Sequence, residues 1–377
     1  MTSILDKRVV VYLPSLEMGG SERQGLRLAA YLQRECGAKV EVWGVAGEGL
    51  GTVFCDKEGI PWRIVPVPWQ TSPLKRLRTV RTLKETLSLA KPDILLPFTV
   101  TPSFICGLLW EKVGASLSIW NQRDTLGHTP GFFWQQAAVR KTPLFVSNSG
   151  HGAKYLTDFL GAPREKIRVV HNGIQLDAPL RTRAEWRFEL QASKDQFVAV
   201  MVANLHADKD HATVLRAWKK VLGRVPGTSP VFVMAGYHGN RYEELRQLSR
   251  DLHIEEHVRF LGQVTDVPGL LAASDLGIMS SKSEGSPNSL LECMAAGLPI
   301  VGSAVPGIEE AVGQGGRFLF PVGDAEALSR LVVDFMADPQ LRQAAGEENR
   351  RRIGEAFSPN AMCRQMVSVI EEGLTAP

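Results

Sequence analysis

The chain has 377 residues, 44% of them hydrophobic and 22% charged, which is enough to bury sizeable cores and long enough for two domains. Its cysteines, Cys36, Cys55, Cys106, Cys293 and Cys363, are odd in number and scattered, without CxxC or metal-ligand spacing. That argues against a disulfide scaffold or a zinc module and fits a reduced, cytosolic compartment. Net charge is +3 but uneven: residues 1–173 hold 22 Lys+Arg against 14 Asp+Glu and the remainder 21 against 26, so the halves carry +8 and −5.

In chain order, short Val/Ile/Leu-rich runs alternate with helix-length amphipathic segments, the pattern of parallel sheets with crossover helices. In the first half the strands are expected at 8–14, 38–44, 62–67, 93–98, 115–120, 144–149 and 167–171. The opening apolar run is about five residues long and reads as a strand rather than a leader. No apolar stretch approaches the roughly 20 residues that span a bilayer, so a soluble or peripheral protein is expected. Gly20 to Arg34 places Leu26, Ala29, Ala30 and Leu32 near one helical face. PLKRLRTVRTLKETL, Pro73 to Leu87, reads either as a basic amphipathic helix on anionic lipid or as a crossover helix with its apolar stripe on the sheet. Trp62, Trp69 and Phe98 either line an acceptor groove or fill core.

Residues 174–195 are polar, carry no strand pattern and are read as the connection between domains. The second half repeats the scheme with strands at 197–203, 230–235, 258–261, 276–280, 299–303 and 317–321. Met362, Met366, Val369 and Ile370 recur at helical spacing, so a final helix must pack on something.

Ligands of open parallel sheets sit beyond the carboxyl ends of the strands. After the 276–280 strand the chain reads KSEGSPNSLLECMAAGLPIVGSAVPGIEEAV, Lys282 to Val312. Glu284 and Glu292 have seven residues between them. Ser286 suits a helix cap, Pro287 the first helical position, and Asn288 and Ser289 offer unpaired N–H groups on which a phosphate can dock. Glu292, a turn further in, is placed to accept from ribose hydroxyls, and Glu284 to reach a hexose. Gly297 and Pro299 close the helix.

This string resembles the EG(x)6E signature of glycosyltransferase family 4, and the resemblance extends over nearly the whole chain. It implies a GT-B fold: two Rossmann-like α/β domains facing across a cleft, at 1–173 and 196–357, with the helix of 358–377 returning to the first. It implies that Glu284 contacts the donor sugar, that Glu292 grips the ribose, and that the backbone of Gly285, Ser286, Pro287, Asn288 and Ser289 surrounds the phosphates. Transfer would retain anomeric configuration and need no metal or other cofactor, with a nucleoside-diphosphate sugar, UDP foremost, as donor.

Other segments are read in the same frame. In LHADKDHATVLRAW, Lys209 stands beyond a strand end, where it neutralises diphosphate oxygens as a point charge. Relatives often carry an Arg five positions earlier; here the residue is Asn204. Asp208-Lys209-Asp210 also has the form of a metal pair, but acids at a helix opening serve as caps. PSLEMGGSERQ resembles the family's N-terminal glycine loop, implying that Gly19 and Gly20 meet the donor, with a plain turn as the alternative. No GxGxxG is present, which argues against a nicotinamide enzyme. In IWNQRDTL, Arg123 occupies the position where relatives place a His facing the reaction centre; it contacts acceptor or sugar, or pairs with Asp124. His128 is a further candidate. VVHNGIQLD resembles the family's turn between domains, fixed by Asn172 and Gly173, and Gln263 follows a strand where the family's backbone meets the nucleobase.

The expected acceptor is a glycan or lipid-linked molecule. The basic first half is read as facing something anionic, a phospholipid surface, which would put a cytoplasmic protein on the membrane's inner face, or a phosphorylated acceptor, or else as ordinary solvated charge. Nucleic acid is not an expected partner, since no such motif occurs. The rival readings are an epimerase or hydrolase on the same fold and a catalytically silent binding subunit.

Overall fold

The computed structural model describes residues 3–69, 72–123, 132–313 and 317–375. The chain divides into two compact units, Met1–Gly173 with Pro359–Pro377, and Ile174–Ser358. The first holds a seven-stranded parallel sheet in the order β3-β2-β1-β4-β5-β6-β7. Its strands are β1 Arg8–Leu16, β2 Lys39–Glu48, β3 Trp62–Ile64, β4 Ile94–Pro97, β5 Leu117–Gln122, β6 Leu144–Ser147 and β7 Ile167–Val169. The second holds a six-stranded parallel sheet, β10-β9-β8-β11-β12-β13. Here β8 is Val198–Val202, β9 Val231–Ala235, β10 Val258–Gly262, β11 Leu276–Met279, β12 Ile300–Ser303 and β13 Leu319–Phe320. Each unit is thus Rossmann-like, and each expected strand is present.

Alternation of side chains explains why both sheets are apolar on two faces. Along β1, Val9, Val11 and Leu13 enter one cluster while Val10 and Tyr12 enter the other. Along β8, Val198 and Val200 face one layer and Ala199 and Met201 the opposite one. The five cysteines are not paired in disulfides and are buried in these layers. Among the described residues no helix is long and apolar enough to cross a membrane.

The final helix, Pro359–Thr375, packs within the first unit, where Met362, Met366, Val369 and Ile370 join the cluster of Leu117 and Leu144. The preceding crossing is fixed at Gly173, whose N–H donates to Gln24 and whose carbonyl accepts from Gln24 at 3.1 Å and Arg27 at 2.7 Å.

Residues 174–195, read in the sequence as the connection between domains, pack as part of the second unit. They contain a helix, Arg183–Glu189, opened by a Thr182/Glu185 capping box, and Ile174, Trp186, Leu190 and Ala192 belong to the second unit's core. Asp266 pins the segment by accepting from the backbone N–H of Leu180 and Arg181, each at 3.0 Å, and from Trp186 Nε1 at 2.8 Å. Burial raises the pKa of this carboxyl, but those donors and the Gly269 N–H outweigh it and the net shift is downward. Apolar residues this sparse, beneath a charged outer face, leave little periodicity to read.

The basic segment forms the helix Pro73–Ala90. Thr79, Leu83 and Leu87 are buried, as a crossover helix requires, while Leu74 and Leu77 are 74% and 54% exposed. Trp69 meets Phe104 and Trp134 edge-on and Phe98 is fully buried, so both fill core.

Candidate active site

In the second unit the loops after β8 and β11 are zipped together. Lys209 and Ser281 form an isolated antiparallel bridge, flanked by Asp210 N–H donating to the Ser280 carbonyl and Lys282 N–H to that of Asp208, both at 2.9 Å. The zipper brings together two residues 75 positions apart: Lys209 Nζ is ion-paired with Glu284 Oε1. Their side chains are 25% and 10% exposed, so the pair is partly shielded from solvent yet reachable. A Lys ammonium has three N–H groups, and one directed at Glu284 leaves two for other oxygens.

Groups that sequence reasoning missed hold this pair. Ser281 Oγ donates to Glu284 Oε1 at 2.6 Å, and Ser281 is itself locked by Ser303, whose Oγ accepts from the Ser281 N–H at 2.9 Å and donates to the Ser281 carbonyl at 2.8 Å. His211 donates from Nδ1 to the Lys209 carbonyl at 2.8 Å. Burial pushes the pKa of His211 down to about 4, so the ring is neutral at pH 7. Gly307 opens the short helix Pro306–Val312 directly under the Glu284–Gly285 backbone. A methyl group there would overlap both carbonyl oxygens, that of Gly285 at 2.5 Å. Serines and a glycine far along the chain carry no motif of their own, and only tertiary packing reveals them.

The helix after Glu284 starts later than expected. It spans Asn288–Ala295, Pro287 is at the cap position with ψ 108°, and no side chain caps it, so Ser286 lies outside the helix and is not its cap. Proline fixes φ but leaves ψ free to stay extended, which delays the first helical residue. The proline at the cap position supplies no side-chain hydrogen bond to the first turn, and this helix start follows Glu284 by four residues. Gly285, Ser286, Asn288 and Ser289 are partly exposed around it, Pro287 is buried, and Glu292 is half-buried on the helix. Gly297, at φ 76°, ends the helix.

Of the remaining second-unit candidates, Asn204 spends its side-chain oxygen on the Tyr237 N–H at 2.9 Å, tying the loop after β8 to that after β9. Gln263 is exposed. Asp210 caps the helix His211–Arg224, accepting from Thr213 Oγ1 at 2.6 Å.

In the first unit Gly19 caps the helix Gly20–Cys36 with extended backbone. A carboxylate unforeseen in the sequence lies against it: Glu22 is 7% exposed, accepts from Ser15 Oγ at 3.1 Å and from Ser21 Oγ at 2.9 Å, and would clash with any side chain at Gly19. Arg123 follows β5, with Nη1 donating to Asn172 Oδ1 at 2.9 Å. Asp124 and His128 lie outside the described residues.

With this geometry in place, similarity to known proteins is informative. The family model described as Glycosyl transferases group 1 matches residues 182–352, and that described as Glycosyltransferase Family 4 matches residues 18–178. The N-acetyl-alpha-D-glucosaminyl L-malate synthase of Bacillus anthracis is 26% identical over 291 residues, 74% of this chain and 74% of the relative. The lipopolysaccharide core biosynthesis glycosyltransferase LpsE of Rhizobium meliloti is 30% identical over 224 residues, covering 59% of this chain and 62% of that protein. Among solved structures, Anabaena HepE in complex with UDP superposes with a TM-score of 0.81 at 19% identity, over 97% of this chain and 100% of HepE. The chain belongs to glycosyltransferase family 4 and is a glycosyltransferase of the GT-B fold.

Proposed function

We propose that the chain is a retaining hexosyltransferase that moves a sugar from a nucleoside diphosphate, with UDP as the first choice, to a glycan or lipid-linked acceptor without a metal ion. The observation that carries this reading is the Lys209–Glu284 pair beside an uncapped helix start at the carboxyl edge of a parallel sheet. In the proposed reaction the bond from the anomeric carbon to the β-phosphate oxygen breaks and a bond to the acceptor oxygen forms. The departing diphosphate takes the acceptor proton. Lys209 and the N–H groups at Asn288 and Ser289 offset its growing charge, worth about 10²–10³ in rate for one well-placed donor. Glu284 orients the sugar hydroxyls, Glu292 holds the ribose, Asn204 and Gln263 face the nucleotide, and Gly19 and Gly20 allow close approach of the first unit's backbone. HepE, solved with UDP, supports a sugar-nucleotide donor, and LpsE, a lipopolysaccharide core biosynthesis glycosyltransferase, supports a glycan acceptor.

The first unit adds a membrane reading. Leu74 and Leu77 protrude among Lys75, Arg78 and Arg81, an arrangement suited to the inner face of an anionic bilayer.

The reaction is tested by incubating UDP-, GDP- and ADP-sugars with glycan acceptors and following donor consumption and product. Wild type should consume one donor only when an acceptor is present, and Lys209→Ala and Glu284→Gln should each lose about 10²-fold or more in kcat/KM while folding normally. Unchanged turnover in both variants would refute the assignment. Consumption of donor alone would instead indicate an epimerase or hydrolase, and binding without turnover a silent subunit.

A further inference from the structure

A buried cation needs compensation, because its N–H groups lose water and its charge loses screening. Arg123 finds little of it. One nitrogen, Nη1, donates to the neutral Asn172 side chain, and the guanidinium carbon stands 5.1 Å from the centre of the Phe98 ring. Nε and Nη2 are buried and meet no hydrogen-bond acceptor among the described residues. Desolvation pulls its pKa down to about 10.

The orphaned nitrogens are the pair along one edge of the guanidinium, the edge that grips a carboxylate or phosphate with two parallel hydrogen bonds. The edge is also held in place. Asn172, which fixes Nη1, is 3% exposed and precedes the Gly173 clamp to Gln24 and Arg27, and Asn148 Nδ2 donates to the Arg123 carbonyl at 3.4 Å. Arg123 directly follows β5 at the carboxyl edge of the sheet, where such folds take ligands. Beside it Thr99, after β4, keeps a left-handed backbone at φ 67°, with its N–H donating to the Asn121 carbonyl at 2.9 Å. A non-glycine residue held there is a form of strain that clusters at ligand sites.

We propose that Arg123 anchors an oxyanion subsite in the first unit, receiving a carboxylate or phosphate group of the acceptor on its Nε–Nη2 edge. The acceptor role rests on the transfer reading above; the anion site does not. This makes the preferred acceptor an anionic molecule rather than a neutral sugar.

Isothermal titration of the full chain with inorganic phosphate, and separately with succinate, tests the subsite in wild type, Arg123→Gln and Lys209→Ala. The expected result is saturable binding of at least one anion by wild type, kept in Lys209→Ala and weakened about tenfold or more in Arg123→Gln. The two arms tell phosphate from carboxylate. Arg123→Gln should keep its UDP affinity, and in anion-free buffer it should unfold no earlier than wild type, since it removes an uncompensated charge. Absence of binding by wild type, equal affinity in Arg123→Gln, or loss of the anion in Lys209→Ala would overturn the proposal. So would a parallel loss of UDP affinity in Arg123→Gln, which would give the arginine to the donor, or a fall in its Tm of more than about 4 °C, which would make it structural. Failure of the transfer reading would appear separately, as no UDP or UDP-sugar binding by any of the three proteins.

Discussion

Lys209 and Arg123 occupy like positions, each beyond the carboxyl end of a parallel strand in its own unit, but in unlike company. Lys209 is paired with Glu284, which Ser281 and Ser303 hold in turn. Among the described residues Arg123 has a neutral amide, an aromatic face and two orphaned nitrogens. A paired cation can keep its geometry in an empty site, because its charge is already offset. An unpaired buried one stores a cost that a ligand removes on binding. On the proposed readings the second unit's site is built in advance, and the first unit's is completed by what it binds.

If the second unit's site is built in advance, its supports should be the sensitive points. The largest expected effect concerns His211. Its folded pKa of about 4 lies below the unfolded value of 6.5, so the unfolded chain binds the extra proton between those values. Stability should fall as pH drops below about 6.5 and level off near 4, by about 2 kcal/mol at pH 5 relative to pH 7. Hydrogen exchange of the helix His211–Arg224, corrected for intrinsic rates, should register this loss, and His211→Gln should flatten the profile. A next, smaller effect is expected at Gly307. Gly307→Ala should displace the Glu284–Gly285 carbonyls and lower kcat/KM by about tenfold or more, with first-unit exchange unaltered. Wild-type kinetics in that variant would mean the loop tolerates movement and is not preformed. The smallest effect belongs to the first unit's surface: Leu77→Ser with Arg78→Glu should weaken sedimentation with phosphatidylglycerol vesicles several-fold without changing the transfer rate on a soluble acceptor. Equal sedimentation would leave the exposed leucines without a membrane role.

The sheets were legible because fully buried parallel strands read as apolar runs, and Ile94–Pro97 and Leu144–Ser147 have no exposed residue to interrupt them. Glu284 and Lys209 were legible through motif and position. That they touch was not, because the contact depends on a two-residue bridge between loops far apart in sequence. The helix at Arg183–Glu189 escaped because one tryptophan and one aspartate anchor it rather than a stripe. Ser286 looked like a cap because Ser-Pro is a common helix opening; the proline's extended ψ moved the start by one residue. Glu22 carries no signal of its own in the sequence, and only its two serine partners reveal a carboxylate folded onto the glycine loop. The two orphaned nitrogens of Arg123 have no sequence signal, since they are defined by which acceptors the described residues bring near in three dimensions.

The central claim is that Lys209, steadied by Glu284, receives a nucleoside diphosphate. Isothermal titration of UDP into wild type and Lys209→Ala tests it most directly. The account predicts saturable one-to-one binding to wild type and an affinity lower by about tenfold or more in the variant, with the same Tm when no ligand is present. Equal UDP affinity in the two proteins would contradict it.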